Sequence, residues 1–226
     1  MSRAIDRDTF RHTLNIQSVV DAALAAHTNV AAPGAAIVAV SGIDGAGKSH
    51  LSALLRRELT SLGLKSLLLG LDAWHTAPSV RFSSIDPGPH FYRNAYRFEE
   101  LFELVVLPLK RSGSVAVQVE LMRWPGGERY VESFDAEGVE VVIVEGIFLL
   151  RRELRAYYDL AVWIECSFET ALRRAMDRNQ EGLSEDVLIE EYTRVYFPAQ
   201  EHHLLRDDPS ASADLRIVND PFAGQV

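Results

Sequence analysis

Eight consecutive residues, Gly42-Ile43-Asp44-Gly45-Ala46-Gly47-Lys48-Ser49, constrain this chain more than any other feature. They fill every defined position of the pattern G-x-x-x-x-G-K-[ST]. Glycines at these spacings let backbone N–H groups turn inward around phosphate oxygens. A lysine in the seventh place reaches the β- and γ-phosphates, and the hydroxyl after it is a ligand for Mg²⁺. The setting agrees: an apolar strand pattern covers residues 35–41, and a helical pattern covers 49–62 and stops at Gly63. The expected nucleotide-binding positions are therefore Gly42, Asp44, Gly45, Ala46, Gly47, Lys48 and Ser49, with His50 beside them. ATP and Mg²⁺ are the expected ligands.

The rest of the chain alternates apolar strands with helical stretches. Strand patterns lie at 66–71, 139–144, 160–165 and 215–218, and helical patterns at 8–27, 98–110, 150–156, 168–179 and 185–197. Alternation of this kind predicts an α/β fold with a parallel sheet covered on both faces by helices. The expected organisation is an N-terminal helical extension, 1–34, and one domain over 35–226. Within that domain an irregular, acceptor-binding insertion is expected at about 73–137 and an arginine-bearing lid at about 168–184.

Bulk properties exclude several classes of function. With 226 residues there is room for one α/β domain with a sizeable core. The formal net charge of -9 argues against nucleic acid as a partner. No apolar run approaches the length of a membrane span, and charges sit where a signal core would lie. A single cysteine, Cys166, precludes an internal disulfide and reads as a strand residue. The expectation is a cytoplasmic protein with a small-molecule partner, with a homodimer left open.

Two carboxylates stand at the ends of apolar strands, where open α/β sheets bind their ligands. Glu145, after Val-Val-Ile-Val, is placed to hold Mg²⁺ and to face the substrate. Asp72, at the end of Leu-Leu-Leu-Gly-Leu, is placed to take the proton of an attacking hydroxyl or to neighbour the metal. Either acid could instead cap the helix that follows. Arg173, Arg174 and Arg178 lie on one helical stretch; Arg174 and Arg178, one turn apart, are expected to close over the phosphates. The catalytic set expected is thus Lys48, Asp72, Arg174 and Arg178. His75, three residues past Asp72, is expected at the substrate, as are Arg93, Arg97 and Arg123 from the irregular segment. Three arginines there would suit an anionic acceptor, although Arg93 and Arg97 could equally pair with Glu100 and Glu103 on the surface.

From about Ile37 to Pro221 the sequence resembles the uridine kinase/phosphoribulokinase/pantothenate kinase group of P-loop kinases. The residues that carry the resemblance are the loop at 41–49, Leu71-Asp72-Ala73-Trp74-His75, and Val-Ile-Val-Glu-Gly-Ile-Phe-Leu-Leu at 142–150. Further landmarks are Tyr-Asp-Leu-Ala-Val-Trp-Ile at 158–164, the arginines at 173–178, Tyr-Phe-Pro-Ala-Gln at 196–200 and Ala-Asp-Leu-Arg-Ile-Val-Asn-Asp at 213–220. The resemblance implies a five-stranded parallel sheet with a lid, ATP with Mg²⁺, and Asn219 near the adenine. It implies a nucleoside as first-choice acceptor, with a sugar, sugar phosphate or pantothenate-like acid as the alternative. The chain departs from uridine kinases at 90–97, which holds no acid for ribose hydroxyls, and at 120–124, which lacks their Tyr-Asp pair. A nucleotide switch fits less well. No Asn-Lys-x-Asp is present, and Asp135-Ala-Glu-Gly138 precedes the metal-side strand rather than following it.

Overall fold

The structure, a computed structural model, describes residues 16–123, 127–179 and 182–221. Strands β1 (Ala36–Gly42), β2 (Ser66–Gly70), β5 (Val141–Glu145), β6 (Leu160–Glu165) and β7 (Leu215–Val218) form one parallel sheet in the order β2-β5-β1-β6-β7. Every residue of β1 is buried, as are the first four of β5 and the first five of β6. These strands read as continuous Val/Ile/Ala/Leu runs because both faces of a parallel sheet are covered. A second sheet pairs β3 (Val115–Met122) with β4 (Arg129–Ala136) antiparallel. The hairpin falls in the segment that sequence periodicity left irregular.

The register sets where chemistry can occur. Glu145, the last residue of β5, lies level with Val40 of β1 and with Gly70 of β2. The phosphate-loop sequence begins just past Val40, and Asp72 comes two residues past Gly70. One sheet edge therefore collects the glycine loop, Glu145 and Asp72. The opposite ends of the strands use acids differently. Asp159 accepts the Ile37 amide at 2.8 Å and Asp214 accepts the Ala161 amide at 2.7 Å, so both cap strand starts.

Helix α1 (Ile16–Thr28) buries Val19, Val20 and Ala23 and packs on α2 (Lys48–Ser61) and on strands β1 and β6. The earlier half of the helix expected at 8–27 lies outside the described residues. Short α3 (Pro78–Arg81) leads to α4 (Pro87–Asn94). The helical stretch α5, residues 98–112, passes through a π segment at Phe102–Val106. Helix α6 (Phe168–Arg178) is followed by α7, a helical stretch over 185–207, and by α8 (Pro209–Ser212).

Two expectations about helices need correction. The stretch 150–156 is not a helix; it is turns ending in a 3-10 segment, Arg155–Tyr157. The helix beginning at Glu185 does not stop at Phe197. A π segment, Tyr192–Tyr196, comes just before Pro198, and the helix runs on to Asp207. Proline lacks the amide proton and crowds the carbonyl four residues back; a wide π turn absorbs both faults. Pro108 follows the other π segment in the same way. Helix α7 lies against α4 so closely at Gly88 that a Cβ there would meet Pro198 Cβ at 2.5 Å.

Candidate active site

The glycine loop leaves β1 and opens α2. Gly47 precedes the helix at φ 99°, a left-handed conformation that side chains avoid, and no side chain caps the helix start. The first-turn amides and the positive end of the helix dipole are thus open to an anion. Gly45, at φ 74°, lies under α6: a Cβ there would sit 2.7 Å from the Ala171 carbonyl oxygen. Gly42 and Ala46 shape the loop from beneath and do not line the cleft.

The loop is bolted down from behind. Buried Asn219 donates from Nδ2 to the Ala46 carbonyl at 2.7 Å, and Arg174 donates to the Gly45 carbonyl at 3.0 Å and to Asn219 Oδ1 at 3.4 Å. Asp220 accepts the Ser167 amide at 2.8 Å and the Thr170 hydroxyl at 2.9 Å, which fixes the start of α6. Asn219 thus holds the loop; it does not line the cleft.

In front of the loop is a cleft of ≈ 340 Å³. It gathers Asp44, Gly45, Gly47, Lys48, Ser49 and His50 on one side, with Asp72, His75 and Glu145 opposite and Arg174 and Arg178 from α6. Lys48 Nζ donates to the Ile43 carbonyl at 2.9 Å, and Ser49 Oγ lies 3.2 and 3.3 Å from the two Glu145 oxygens. Arg178 approaches Asp44 at 3.6 Å. Arg173 instead pairs with Glu169 at 3.3 Å on the outer face of α6.

The charges in the cleft work against one another. Burial pushes the Asp44 carboxyl up, but Lys48, Arg178 and hydrogen bonds from Tyr192 and the Gly45 amide outweigh it and hold it below its ordinary value. Asp72 keeps solvent contact through the cleft mouth while protein crowds its other sides. That burial, with repulsion from Asp44, raises it against the pull of Lys48. Burial also raises Glu145, and Asp72 and Asp44 add to it. A raised carboxylate is a stronger base, which suits Asp72 to proton abstraction. His75 is pushed down to about 4 by burial and by Arg81, and its Nδ1 lies 2.5 Å from the Asp72 carbonyl oxygen. The ring is therefore neutral at pH 7.

Ser49 and Glu145 offer hard oxygens within reach of each other, beside Asp72. Mg²⁺ commonly holds to proteins by one or two such groups and takes its other ligands from phosphates and water. The residues present fit that ion.

Sequence reasoning missed part of the wall. Phe91, Tyr96, Ile147, Tyr192, Tyr196 and Gln200 complete the lining. Tyr96 donates to Asp72 at 3.4 Å, the Tyr192 hydroxyl bonds Asp44, and Gln200 Oε1 accepts the Asp44 amide at 2.7 Å. Tyr192, Tyr196 and Gln200 recur every fourth residue, one helical face. A helix that stops at Phe197 cuts that face in two.

Three expected substrate residues are not in the cleft, which corrects the arginine-lined pocket. Arg93 pairs with Asp86 at 3.7 Å on the surface. Arg97 lies over Trp74 and is held by Glu100 at 2.6 Å and the Glu120 carbonyl at 2.8 Å. Arg123 stacks on Tyr130 and faces Glu128 at 3.9 Å. Local pairing between neighbours in sequence has claimed all three.

Comparison with known proteins agrees with this architecture. No protein-family model matches the sequence. A curated uridine kinase from Leuconostoc citreum is 24% identical over 168 residues, covering 72% of this chain and 78% of that protein. Among solved structures, a candidate fructose transport system kinase from Silicibacter sp. TM1040 superposes with a TM-score of 0.72 at 22% identity, covering 90% of this chain and 98% of the other. A possible uridine kinase from Bacillus stearothermophilus gives 0.69 at 17%, covering 90% and 100%. Phosphoribulokinase from Rhodobacter spheroides gives 0.59 at 14%, covering 84% and 71%. Among the described residues no helix is long and apolar enough to cross a membrane. The chain has the P-loop kinase fold: it is similar in sequence to a uridine kinase, and in structure to a possible uridine kinase and to phosphoribulokinase.

Proposed function

We propose that this chain is an ATP-dependent kinase that moves the γ-phosphoryl group to the hydroxyl of a small molecule. One observation carries the reading: Lys48, Ser49, Asp72 and Glu145, from three separate strand ends, meet in a single cleft. The loop amides and the α2 terminus bind the phosphates. Lys48 releases the Ile43 carbonyl and turns to the β- and γ-phosphates. Ser49 and Glu145 hold Mg²⁺, which when bound neutralises charge on the phosphates. Asp72, fixed by Tyr96, takes the proton of the acceptor hydroxyl. The hydroxyl oxygen then bonds to the γ-phosphorus as the bond to the β–γ bridging oxygen breaks, and ADP leaves. Arg178 is close enough to the loop to move from Asp44 to the transferring group, while Arg174 keeps the loop in shape.

The acceptor side is aromatic: Phe91 and Tyr196 meet edge to face at 5.2 Å, with Tyr96 beside them. Such a wall favours an acceptor with a flat ring, and a nucleoside is the leading choice. The absence of an acid in 90–97 favours the alternative, a sugar, sugar phosphate or pantothenate-like acid, with His75 as the hydroxyl-binding group. An ATP-consumption screen over these alcohols, with mass detection of the product, tests the reading. A phosphorylated alcohol is expected; ATP hydrolysis indifferent to every alcohol would contradict it.

A further inference from the structure

A second cavity, ≈ 450 Å³, opens on the far side of Tyr96, between α5 and the turns after β5. Its wall includes Arg151, Phe98, Phe102, Tyr157 and Leu107, with Glu103 among its acids. None of these serves the catalytic cleft. The unusual member is Arg151. It is 8% exposed, and its guanidinium carbon lies 4.0 Å from the Tyr92 ring centroid and 4.6 Å from that of Phe98. Nη2 donates to the Tyr92 carbonyl, but buried Nε has no hydrogen-bond partner. Among the described residues no carboxylate lies within ion-pair distance of it. Its neighbours are already engaged: Glu153 with Arg206 at 3.5 Å and Arg97 with Glu100 at 2.6 Å.

A buried guanidinium whose opposite charges, Glu153 and Asp207, act only from beyond ion-pair distance is costly, and an oxyanion that reaches it recovers both charge pairing and the open N–H groups. We propose that this second cavity binds a small oxyanion, a carboxylate or a phosphate, on Arg151, and that binding is felt in the catalytic cleft through Tyr96. Tyr96 lines both cavities, and its hydroxyl reaches Asp72. Arg151 also holds the Tyr92 carbonyl, in the helix that leads to Tyr96. The aromatic walls suit a ligand with an apolar body behind its charged end.

The site is tested on the full chain by calorimetric titration with inorganic phosphate and, separately, with succinate. Phosphate is expected at two places. Lys48→Ala weakens the one at the glycine loop, and Arg151→Gln weakens the other about tenfold, the loss of one charge-assisted contact. Leu107→Trp, which fills the cavity and leaves Arg151 in the sequence, gives the same loss if Arg151→Gln fails to fold. Glu103→Gln removes a like charge and tightens binding about twofold. Succinate retained by Lys48→Ala and lost in Leu107→Trp identifies a carboxylate ligand; phosphate alone doing so identifies a phosphate. Phosphate binding at the loop tests the kinase reading separately. Anion binding that neither Leu107→Trp nor Arg151→Gln alters overturns the site. The Arg97 amide, bonded to the Trp74 carbonyl at 2.9 Å, reports the coupling. Its hydrogen exchange should slow when the anion binds to the Lys48→Ala chain, and an unchanged rate in a chain that binds overturns the link to Tyr96.

Discussion

On the proposed phosphate side of the cleft, six of the seven positions from Asp44 to His50 form the wall, with Ala46 behind it, and backbone amides would do much of the binding. On the acceptor side the wall is assembled from Asp72 and His75 after β2, Phe91 and Tyr96 around α4, Glu145 at the end of β5 with Ile147 just past it, and one face of α7. A binding surface made by contiguous backbone depends on glycines and on whatever braces the loop from behind. A surface made from separate elements depends on helix packing, such as the Gly88–Pro198 contact, and its chemistry changes whenever one element slides. The same comparison says which perturbations should be local and which should spread.

The largest expected effect is on the phosphate side. Lys48→Ala should lower phosphoryl transfer by about 10²–10³, as loss of a preorganised charge stabiliser does, with the circular dichroism spectrum unchanged. Wild-type turnover in a folded variant contradicts the role.

On the acceptor side, His75 should couple stability to acidity. Its folded-state value of about 4 lies below the ordinary 6.5. The unfolded chain therefore binds more protons between those values, and stability falls as pH drops from 6.5 toward 4. The gap corresponds to at most about 3 kcal/mol. Urea unfolding of wild type and His75→Gln across this range should show the acid-dependent loss shrinking by up to that amount in the variant. Parallel curves would place the ring in a different environment.

Asn219→Ala strips the loop of its rear brace and leaves the Ala46 carbonyl buried without that partner. A loss of about 1–3 kcal/mol is expected, seen as weaker ATP binding and a lower Tm. An effect on Tm alone would separate the brace from nucleotide binding. The smallest effects belong to the arginines outside the cleft. Arg93→Ala and Arg123→Ala should change stability by no more than about 1 kcal/mol and leave kinetics untouched. A raised acceptor KM in either would restore the anionic pocket.

Much of the phosphate side was legible in the sequence because its chemistry is contiguous. The glycine spacing, the strand before it and the helix after it lie in one window, and strand-end Asp72 and Glu145 needed only the rule that ligands bind at carboxyl ends of strands. The acceptor wall was poorly legible for a physical reason. Proline normally ends a helix, and nothing local announces the π turn that lets α7 pass Pro198, so Tyr192, Tyr196 and Gln200 were not seen as one face. Arginine clustering misled because Arg97 and Arg123 are satisfied by aromatic rings and nearby acids, contacts that composition does not reveal. The segment 213–220 was recognisable as a landmark, but its mechanical part was not: Asp214 caps a strand, Asn219 braces the loop and Asp220 fixes α6.

The two walls meet at Asp72, so the sharpest test is Asp72→Asn, with ATP affinity and phosphoryl transfer measured on the same preparation. The variant keeps the shape of the side chain and its contact with Tyr96 but cannot accept a proton. ATP affinity near wild type together with loss of most transfer is the predicted result. Unchanged transfer, or a fall in ATP affinity that accounts for the whole loss, would contradict the assignment of Asp72 as the base and with it the joining of a phosphate side and an acceptor side in one catalytic cleft.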